Sequence, residues 1–306
     1  MNYLAIDVGG TYIKYGLIDC SGNLVSLAKI PTPKNSSDFL KRIFELIDPV
    51  KSKIKGIGIS IPGKVDTENG IIYFGGSLLF LHEMPLKSKI EEKYEVRCEL
   101  VNDGKAAALA ELWLGNLKNI DNGAAIVLGT GVGGGLIING ELYQGSHFQA
   151  GELSFMISNR NLYTNKDITG YSHSAVRFVR SASQLLNLKD ETNGKKVFEA
   201  IKLGDNFELM NLFANYCEQI ANLIINLQAV IDVSTIVIGG GISQQDILIK
   251  EIKEQYKIVR ERLGIFEPML AKIDILPCQF RNEANLLGAV YQLLLNIEKR
   301  DLFKAF

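Results

Sequence analysis

A pattern of strand, glycine turn, strand, turn and strand occurs twice in this chain of 306 residues. The first copy spans residues 5–24 and the second spans residues 125–142. The interval between the copies is far longer than the roughly 20 to 50 residues of stacked repeats. The repeat therefore predicts a duplicated α/β protein of two domains rather than a solenoid, and the length fits two domains as well.

Composition and charge exclude several classes of protein. Hydrophobic residues make up 47% and charged residues 22%, and the formal net charge is −1, which is typical of an ordinary globular protein. No block of Lys and Arg is present, so we expect no nucleic-acid partner. The four cysteines are widely spaced, which favours reduced thiols. Without a basic segment leading into an apolar run, or an apolar run of roughly 18 residues, we expect a cytoplasmic protein with no membrane contact.

The polar pair Asn102-Asp103 stands between a buried-looking strand and an Ala-rich helix. Ligands of open α/β sheets bind at the carboxyl ends of strands, where such a carboxylate would lie. Asp is also a favoured helix N-cap, so the residue type alone leaves both roles open. The glycine-rich segments on either side favour a functional carboxylate.

Three glycine-rich segments follow predicted strands. They are 7–11, which contains Gly9 and Gly10; 129–135, with five glycines in seven residues; and 239–241. Glycine allows the backbone to approach a ligand closely, and exposed N–H groups can hold phosphate. A plain hairpin turn also needs glycine, but the run at 129–135 would weaken a sheet without such a use. Asp7 could in addition hold Mg²⁺ through water.

Taken together and in order, six motifs resemble those of the ROK family of repressors, open reading frames and sugar kinases. They are Asp7–Thr11, Pro62-Gly63, Asn102-Asp103, Gly129–Gly135, Gly151-Glu152 and Gly239–Gly241. The resemblance implies an actin-like (ribonuclease H-like) duplicated fold with two α/β domains around a central cleft. We expect a small N-terminal domain, 1–118, completed by a C-terminal helix, 284–306, and a large domain, 119–283. ATP, Mg²⁺, a sugar and a homodimer are implied as well.

The resemblance also implies roles for individual residues. Asp103 corresponds to the general base that acts on the sugar hydroxyl. The predicted sugar-binding residues are Gly63, Gly76, Ser77, Asn102, Asp103 and Glu152. The predicted nucleotide-binding residues are Asp7, Gly9, Gly10, Thr11, Lys14, Thr130, Gly131, Gly133, Gly239, Gly240 and Gly241.

The chain departs from the family pattern at the structural zinc site. Most members continue Gly-Glu-x-Gly-His and then a cysteine-rich segment, whereas Phe155 stands here at the histidine position. No cysteine lies between Cys98 and Cys217. Zinc needs thiolate or imidazole ligands, so we expect no structural zinc. His82, His147 and His173 are isolated in the sequence and are expected to be ordinary polar residues.

The substrate follows from the same comparison of motifs. Members without zinc that share residues 148–152 and 75–77 resemble β-glucoside kinases, so we expect phosphoryl transfer from ATP to a hexose or β-glucoside. An N-acetylmannosamine or other hexosamine kinase, or a glucokinase, is the alternative. A sugar sensor without catalysis is less favoured, because Asp103 and all three glycine segments are present. The family's repressors carry a DNA-binding domain before the first glycine motif, which begins here at Asp7.

Overall fold

The computed structural model describes residues 2–158, 163–281 and 283–304, with only the backbone for 299–304. The chain divides into two compact units. Unit 1 comprises Met1–Gly115, Leu142–Ala150 and Asn282–Phe306, and unit 2 comprises Asn116–Glu141 and Gly151–Arg281. The division of folding domains expected from the sequence stays a prediction. Residues 142–150, which lie within the predicted large domain 119–283, group with unit 1.

Twelve strands and nine helices are found in the described residues. In chain order they are β1 (Asn2–Val8), β2 (Tyr12–Asp19), β3 (Leu24–Pro31), α1 (Ser36–Ile47), β4 (Ile54–Ile61), β5 (Lys64–Asp66), β6 (Ile71–Tyr73), α2 (Leu86–Tyr94), β7 (Cys98–Asn102), α3 (Asp103–Leu114), β8 (Gly123–Leu128), β9 (Val132–Ile138), β10 (Glu141–Leu142), α4 (Thr169–Ser172), α5 (Ala175–Leu185), α6 (Gly194–Leu203), α7 (Phe207–Ile231), β11 (Thr235–Gly240), α8 (Asp246–Glu261), β12 (Asp274–Pro277) and α9 (Ala284–Lys304).

Two five-stranded sheets share one topology. The first has the order β3-β2-β1-β4-β7 and the second β10-β9-β8-β11-β12. In the first sheet β1 pairs antiparallel with β2 and parallel with β4, and in the second β8 pairs antiparallel with β9 and parallel with β11. The repeated sequence pattern thus corresponds to a repeated sheet.

Helix α9 packs closely within unit 1 because two glycines remove side chains from its contacts. A methyl group on Gly288 would lie 1.8 Å from the carbonyl oxygen of Ala106 in α3. One on Gly58 in β4 would lie 2.3 Å from the carbonyl oxygen of Ala289. Helix α3, which begins at Asp103, is therefore held directly against α9.

The structure corrects some predicted element bounds. Strand β9 begins at Val132, so Gly133 lies in a strand rather than in a loop. Gly239 and Gly240 likewise end β11. Residues 163–174 include α4 and a 3₁₀ turn at Asn165–Asp167; residues 159–162 lie outside the described residues. No helix in the described part of the chain is both long enough and apolar enough to cross a bilayer.

Candidate active site

Strand β7 ends at Asn102 and α3 begins at Asp103, and these neighbours have different roles. Asn102 is the N-cap: its side-chain oxygen accepts a hydrogen bond from the backbone N–H of Lys105 at 3.2 Å. The capping role that the sequence left open for Asp103 thus belongs to Asn102. The carboxylate of Asp103 is available for another purpose.

The carboxylate of Asp103 is held in a fixed position. Its Oδ1 accepts hydrogen bonds from the N–H of Gly104 at 2.8 Å and from Nδ2 of Asn102 at 3.0 Å. Burial is the main cause that raises the pKa of Asp103 to about 6; the charge of Asp7 raises it further, while the two hydrogen bonds oppose the shift. A carboxylate with a pKa near the working pH suits a general base.

Asn102 also connects the base to the turn at Gly63. Its Nδ2 donates to the carbonyl oxygen of Gly63 at 2.9 Å. Gly63 has φ of +92°, and a methyl group there would lie 2.1 Å from the carbonyl oxygen of Phe74. Only glycine fits this position, because both the backbone conformation and the space exclude a side chain. Three predicted sugar-binding residues, Gly63, Asn102 and Asp103, are thus brought together.

The turn at Gly76-Ser77 contacts two other predicted segments of unit 1. A methyl group on Gly76, which has φ of +61°, would lie 3.2 Å from Cβ of Pro62. One on Gly10 would lie 2.8 Å from Oγ of Ser77. The predicted sugar-binding turn therefore lies against the first predicted phosphate-binding turn.

Asp7 is a buried carboxylate near the end of β1. Asn285, in the first turn of α9, donates from Nδ2 to Oδ1 of Asp7 at 3.0 Å. The Nζ atom of Lys14, which faces Asp7 across β1 and β2, lies 3.6 Å from Oδ2. The turn that follows is braced by Thr32, whose Oγ1 donates to the carbonyl oxygen of Gly9 at 2.7 Å. Asn285 was not predicted, because it stands at the start of an apolar helix far along the chain.

Lys105 is a second residue that the sequence reading missed. It is fully buried, and its Nζ donates to Oε1 of Gln144 at 2.8 Å and to the carbonyl oxygen of Phe148 at 2.9 Å. These bonds attach residues 142–150 to the helix that carries Asp103. The signal was present in the sequence, since Lys105 stands only two residues after Asp103.

The glycine run of unit 2 has a structural use as well as the predicted one. A methyl group on Gly134 would lie 2.6 Å from Cδ1 of Leu153, and one on Gly131 would lie 2.8 Å from Oγ of Ser154. The segment that starts with Glu152 therefore packs directly on β9 and the turn before it. By contrast, a methyl group on Gly129 would meet nothing closer than 3.9 Å, and Thr130 is exposed. Phosphate binding by Thr130, Gly131 and Gly133 stays a prediction.

The third glycine segment, at the end of β11, combines a required and an open position. Gly240 has φ of +98°, and a methyl group there would lie 2.0 Å from the carbonyl oxygen of Leu128. One on Gly239 would lie 2.9 Å from Sγ of Cys278, whereas one on Gly241 would have no neighbour within 4 Å. The space beside the backbone at Gly241 is thus open.

The buried His173 and the four cysteines are not arranged as zinc ligands among the described residues. His173 is buried, with Nε2 3.0 Å from the carbonyl oxygen of Gln219 and Nδ1 2.7 Å from Oγ of Ser172. Burial lowers the pKa of His173 to about 4, so its ring is neutral. All four cysteines are free. Among the described residues no three or more His, Cys, Asp and Glu side chains are arranged to hold a metal; that zinc is not needed stays a prediction.

Comparison with known proteins places this geometry in context. The model of the ROK family matches residues 3–295. A beta-glucoside kinase of Listeria monocytogenes is 29% identical over 300 residues, which are 96% of this chain and 98% of the relative. A solved structure from Listeria monocytogenes, proposed there to be an N-acetylmannosamine kinase, has a TM-score of 0.84 at 28% identity and covers 97% and 99% of the two chains. A ROK family protein of Streptococcus pneumoniae solved with sucrose has a TM-score of 0.85 at 26% identity and covers 98% and 100%.

The two sheets have matching strand orders, and the similar solved structures are sugar kinases of the actin-like fold. This confirms the predicted fold class. The chain belongs to the ROK family, as its motifs predicted. By that relationship it is a carbohydrate kinase, and this prediction is confirmed too.

Proposed function

We propose that this protein transfers the γ-phosphoryl group of ATP to a hydroxyl group of a hexose or β-glucoside, with Asp103 as the general base. The observation that carries the proposal is the carboxylate of Asp103, which does not cap its helix and has its pKa raised to about 6. The two hydrogen bonds to Oδ1 fix its orientation. At neutral pH this carboxylate is ionised and can take a proton from the attacking hydroxyl group.

Phosphoryl transfer requires mainly positioning and charge stabilisation. In this proposal Asp103 orients the hydroxyl group and accepts its proton. Asn102 donates hydrogen bonds to both Asp103 and the carbonyl oxygen of Gly63, so it fixes the position of the base relative to the sugar-binding turn. A positioned base of this kind contributes about 10²- to 10⁴-fold to the rate.

We assign the phosphates and the adenosine to the glycine turns. The turn at Gly9, Gly10 and Thr11, with Lys14, and the turn at Thr130, Gly131 and Gly133 would hold phosphates, and the segment Gly239–Gly241 would lie on the adenosine side. Asp7 would hold Mg²⁺ through water, because Mg²⁺ keeps several waters and needs only one or two carboxylates. Asn285 and Lys14 already contact the two oxygens of Asp7, so Mg²⁺ would contact Asp7 through water rather than directly. When bound, Mg²⁺ neutralises charge on the phosphates.

A β-glucoside is the acceptor we favour. The Listeria relative of similar length is named a beta-glucoside kinase, and the structure from Streptococcus pneumoniae holds sucrose, a sugar of two rings. Gly63, Gly76, Ser77, Asn102 and Glu152 are the residues we assign to the sugar. The N-acetylmannosamine kinase proposed for a structural neighbour keeps hexosamines open as an alternative, and glucose is another. The homodimer, the cytoplasmic location and folding without zinc belong to the same proposal.

The substitution Asp103→Asn tests the base directly. The variant keeps the shape of the side chain and loses its proton-accepting carboxylate, so kcat should fall by about 10²- to 10⁴-fold while sugar affinity stays nearly unchanged. Coupled ADP release measures the first and calorimetric titration with sugar the second. Asp246→Asn, which changes another Asp in the first turn of a helix, is the matched control. Retained activity in the Asp103 variant would overturn the assignment of the base.

A further inference from the structure

An exposed aromatic side chain with an unusual backbone conformation lies beside the sugar-binding turns. Phe74 directly follows β6, and 63% of its surface is exposed. Its φ is +49°, a left-handed conformation that bulky L-residues rarely adopt. Residues held in such conformations concentrate at binding and active sites. A large apolar side chain that is both strained and exposed therefore points to a ligand.

His82 supports the ring of Phe74 from one side. The two ring centroids are 4.4 Å apart with an interplanar angle of 24°, and the backbone N–H of Phe74 donates to Nδ1 of His82 at 3.3 Å. The ring of Tyr73 meets His82 edge-on at 6.2 Å, and Nζ of Lys64 lies 4.8 Å from the centroid of Tyr73. We call Tyr73, Phe74 and His82 the aromatic platform. Its contacts fix the ring of Phe74 while much of that ring stays open to solvent.

The aromatic platform is connected to the base by a short series of contacts. The carbonyl oxygen of Phe74 occupies the space where Gly63 would carry a side chain. Gly63 accepts the hydrogen bond from Asn102, and Asn102 holds Asp103. The next residues after Phe74 are Gly75 and Gly76, which have no side chain to cover the ring. The platform thus lies at the edge of the region assigned to the sugar.

We propose that the aromatic platform binds the second ring of the acceptor, the aglycone of a β-glucoside, while the first ring presents its hydroxyl group to Asp103. The proposal rests on the proposed function and extends it to the substrate class. The face of a pyranose or aryl ring carries C–H groups that pack on an aromatic face. In this arrangement an acceptor of two rings contacts both Asp103 and the aromatic platform.

The test compares acceptors with one and two rings. We compare kcat/KM for a two-ring acceptor, cellobiose or an aryl β-glucoside, with kcat/KM for glucose. In the Phe74→Ala variant the ratio of the first to the second should fall about tenfold, because KM for the two-ring acceptor rises. Phe74→Trp should keep the ratio, and His82→Ala should lower it several-fold by removing the support of the ring. Phe266→Ala is the matched control, because Phe266 lies in unit 2 and is 61% exposed.

A second variant separates the role of the ring from an effect on folding. Glycine tolerates positive φ, so Phe74→Gly should fold at least as well as the wild-type protein and show the same loss of ratio. Saturation-transfer NMR without ATP gives a readout that needs no turnover: protons of the second ring should receive saturation in the wild-type protein and lose it in both variants.

The outcomes distinguish this inference from the proposed function. If sugars are phosphorylated but the ratio and the NMR contacts do not change in Phe74→Ala, Phe74→Gly and His82→Ala, the aromatic platform has no role in binding and the inference is wrong, while the proposed function stands. If no sugar is phosphorylated, the proposed function fails. The NMR experiment then decides the platform alone: contacts to the second ring that depend on Phe74 support it, and their absence overturns it.

Discussion

At the scale of residues, the neighbours Asn102 and Asp103 at the end of β7 have separate roles, one as helix cap and one as free carboxylate. Asn102 supplies the helix cap and donates hydrogen bonds to Gly63 and Asp103. Asp103 is thereby left with a carboxylate whose orientation is fixed. The sequence could identify the pair, because a polar break before an Ala-rich helix is visible in it. It could not assign the cap, since both residue types are favoured N-caps and only the backbone position decides.

The pKa of Asp103 predicts how activity depends on pH. Because burial raises this pKa to about 6, the free enzyme holds the base protonated, and inactive, at low pH. The value of kcat/KM for the sugar should therefore rise with pH through about 6 and level off above it. Initial rates from pH 5 to 8 with saturating ATP·Mg²⁺ measure this profile. A flat profile, or one that falls as pH rises through 6, would contradict the assignment.

At the scale of elements, apolar periodicity indicates helices and strands but not their close contacts. Strand β4 and helix α1 follow apolar spacings that the sequence shows directly. Helix α2 gives a weaker signal, because charged residues make up most of it and its apolar positions are only Leu86, Ile90 and Tyr94. The glycine-rich segment 129–135 was expected to form a turn, because glycine is unfavourable in strands, yet β9 begins at Val132 and Leu153 packs on Gly134.

The contact between α9 and α3 gives a prediction for stability. Alanine favours helices over glycine by about 1 kcal/mol, but a methyl group on Gly288 would lie 1.8 Å from the carbonyl oxygen of Ala106. Gly288→Ala should therefore lower the free energy of unfolding by about 1–3 kcal/mol, the usual cost of overpacking. Urea denaturation measures the change. The control is Gly194→Ala in α6, where the nearest atom would be 3.5 Å away; equal effects in both variants would contradict the packing argument.

At the scale of the whole molecule, the duplication was readable because both copies keep their glycine turns. The shared strand order of the two sheets is the structural result. Long-range contacts could not be predicted. Asp7 and Asn285 are 278 residues apart in the chain and are joined by a hydrogen bond, and no local pattern indicates such a pair. The grouping of residues 142–150 with unit 1, where Lys105 bonds to Gln144 and Phe148, involves contacts about 40 residues apart that no local pattern indicates.

Folding without zinc is a prediction for the whole molecule. Phe155 stands where most of the family has a histidine ligand, and cysteine ligands are missing from the segment that follows. A chelator that binds zinc and spares Mg²⁺ should therefore leave the melting temperature unchanged. Differential scanning fluorimetry with and without the chelator measures this, with metal analysis of the purified protein as the control. A large drop in melting temperature would reveal a structural metal site.

The most direct test of the central claim is coupled ADP release with ATP·Mg²⁺ across a panel of sugars. The panel contains glucose, cellobiose, other β-glucosides, N-acetylmannosamine and N-acetylglucosamine. We predict turnover on β-glucosides that is lost in Asp103→Asn, because that carboxylate is the only base we assign. No ADP release with any sugar, from a protein that still binds ATP, would contradict the account.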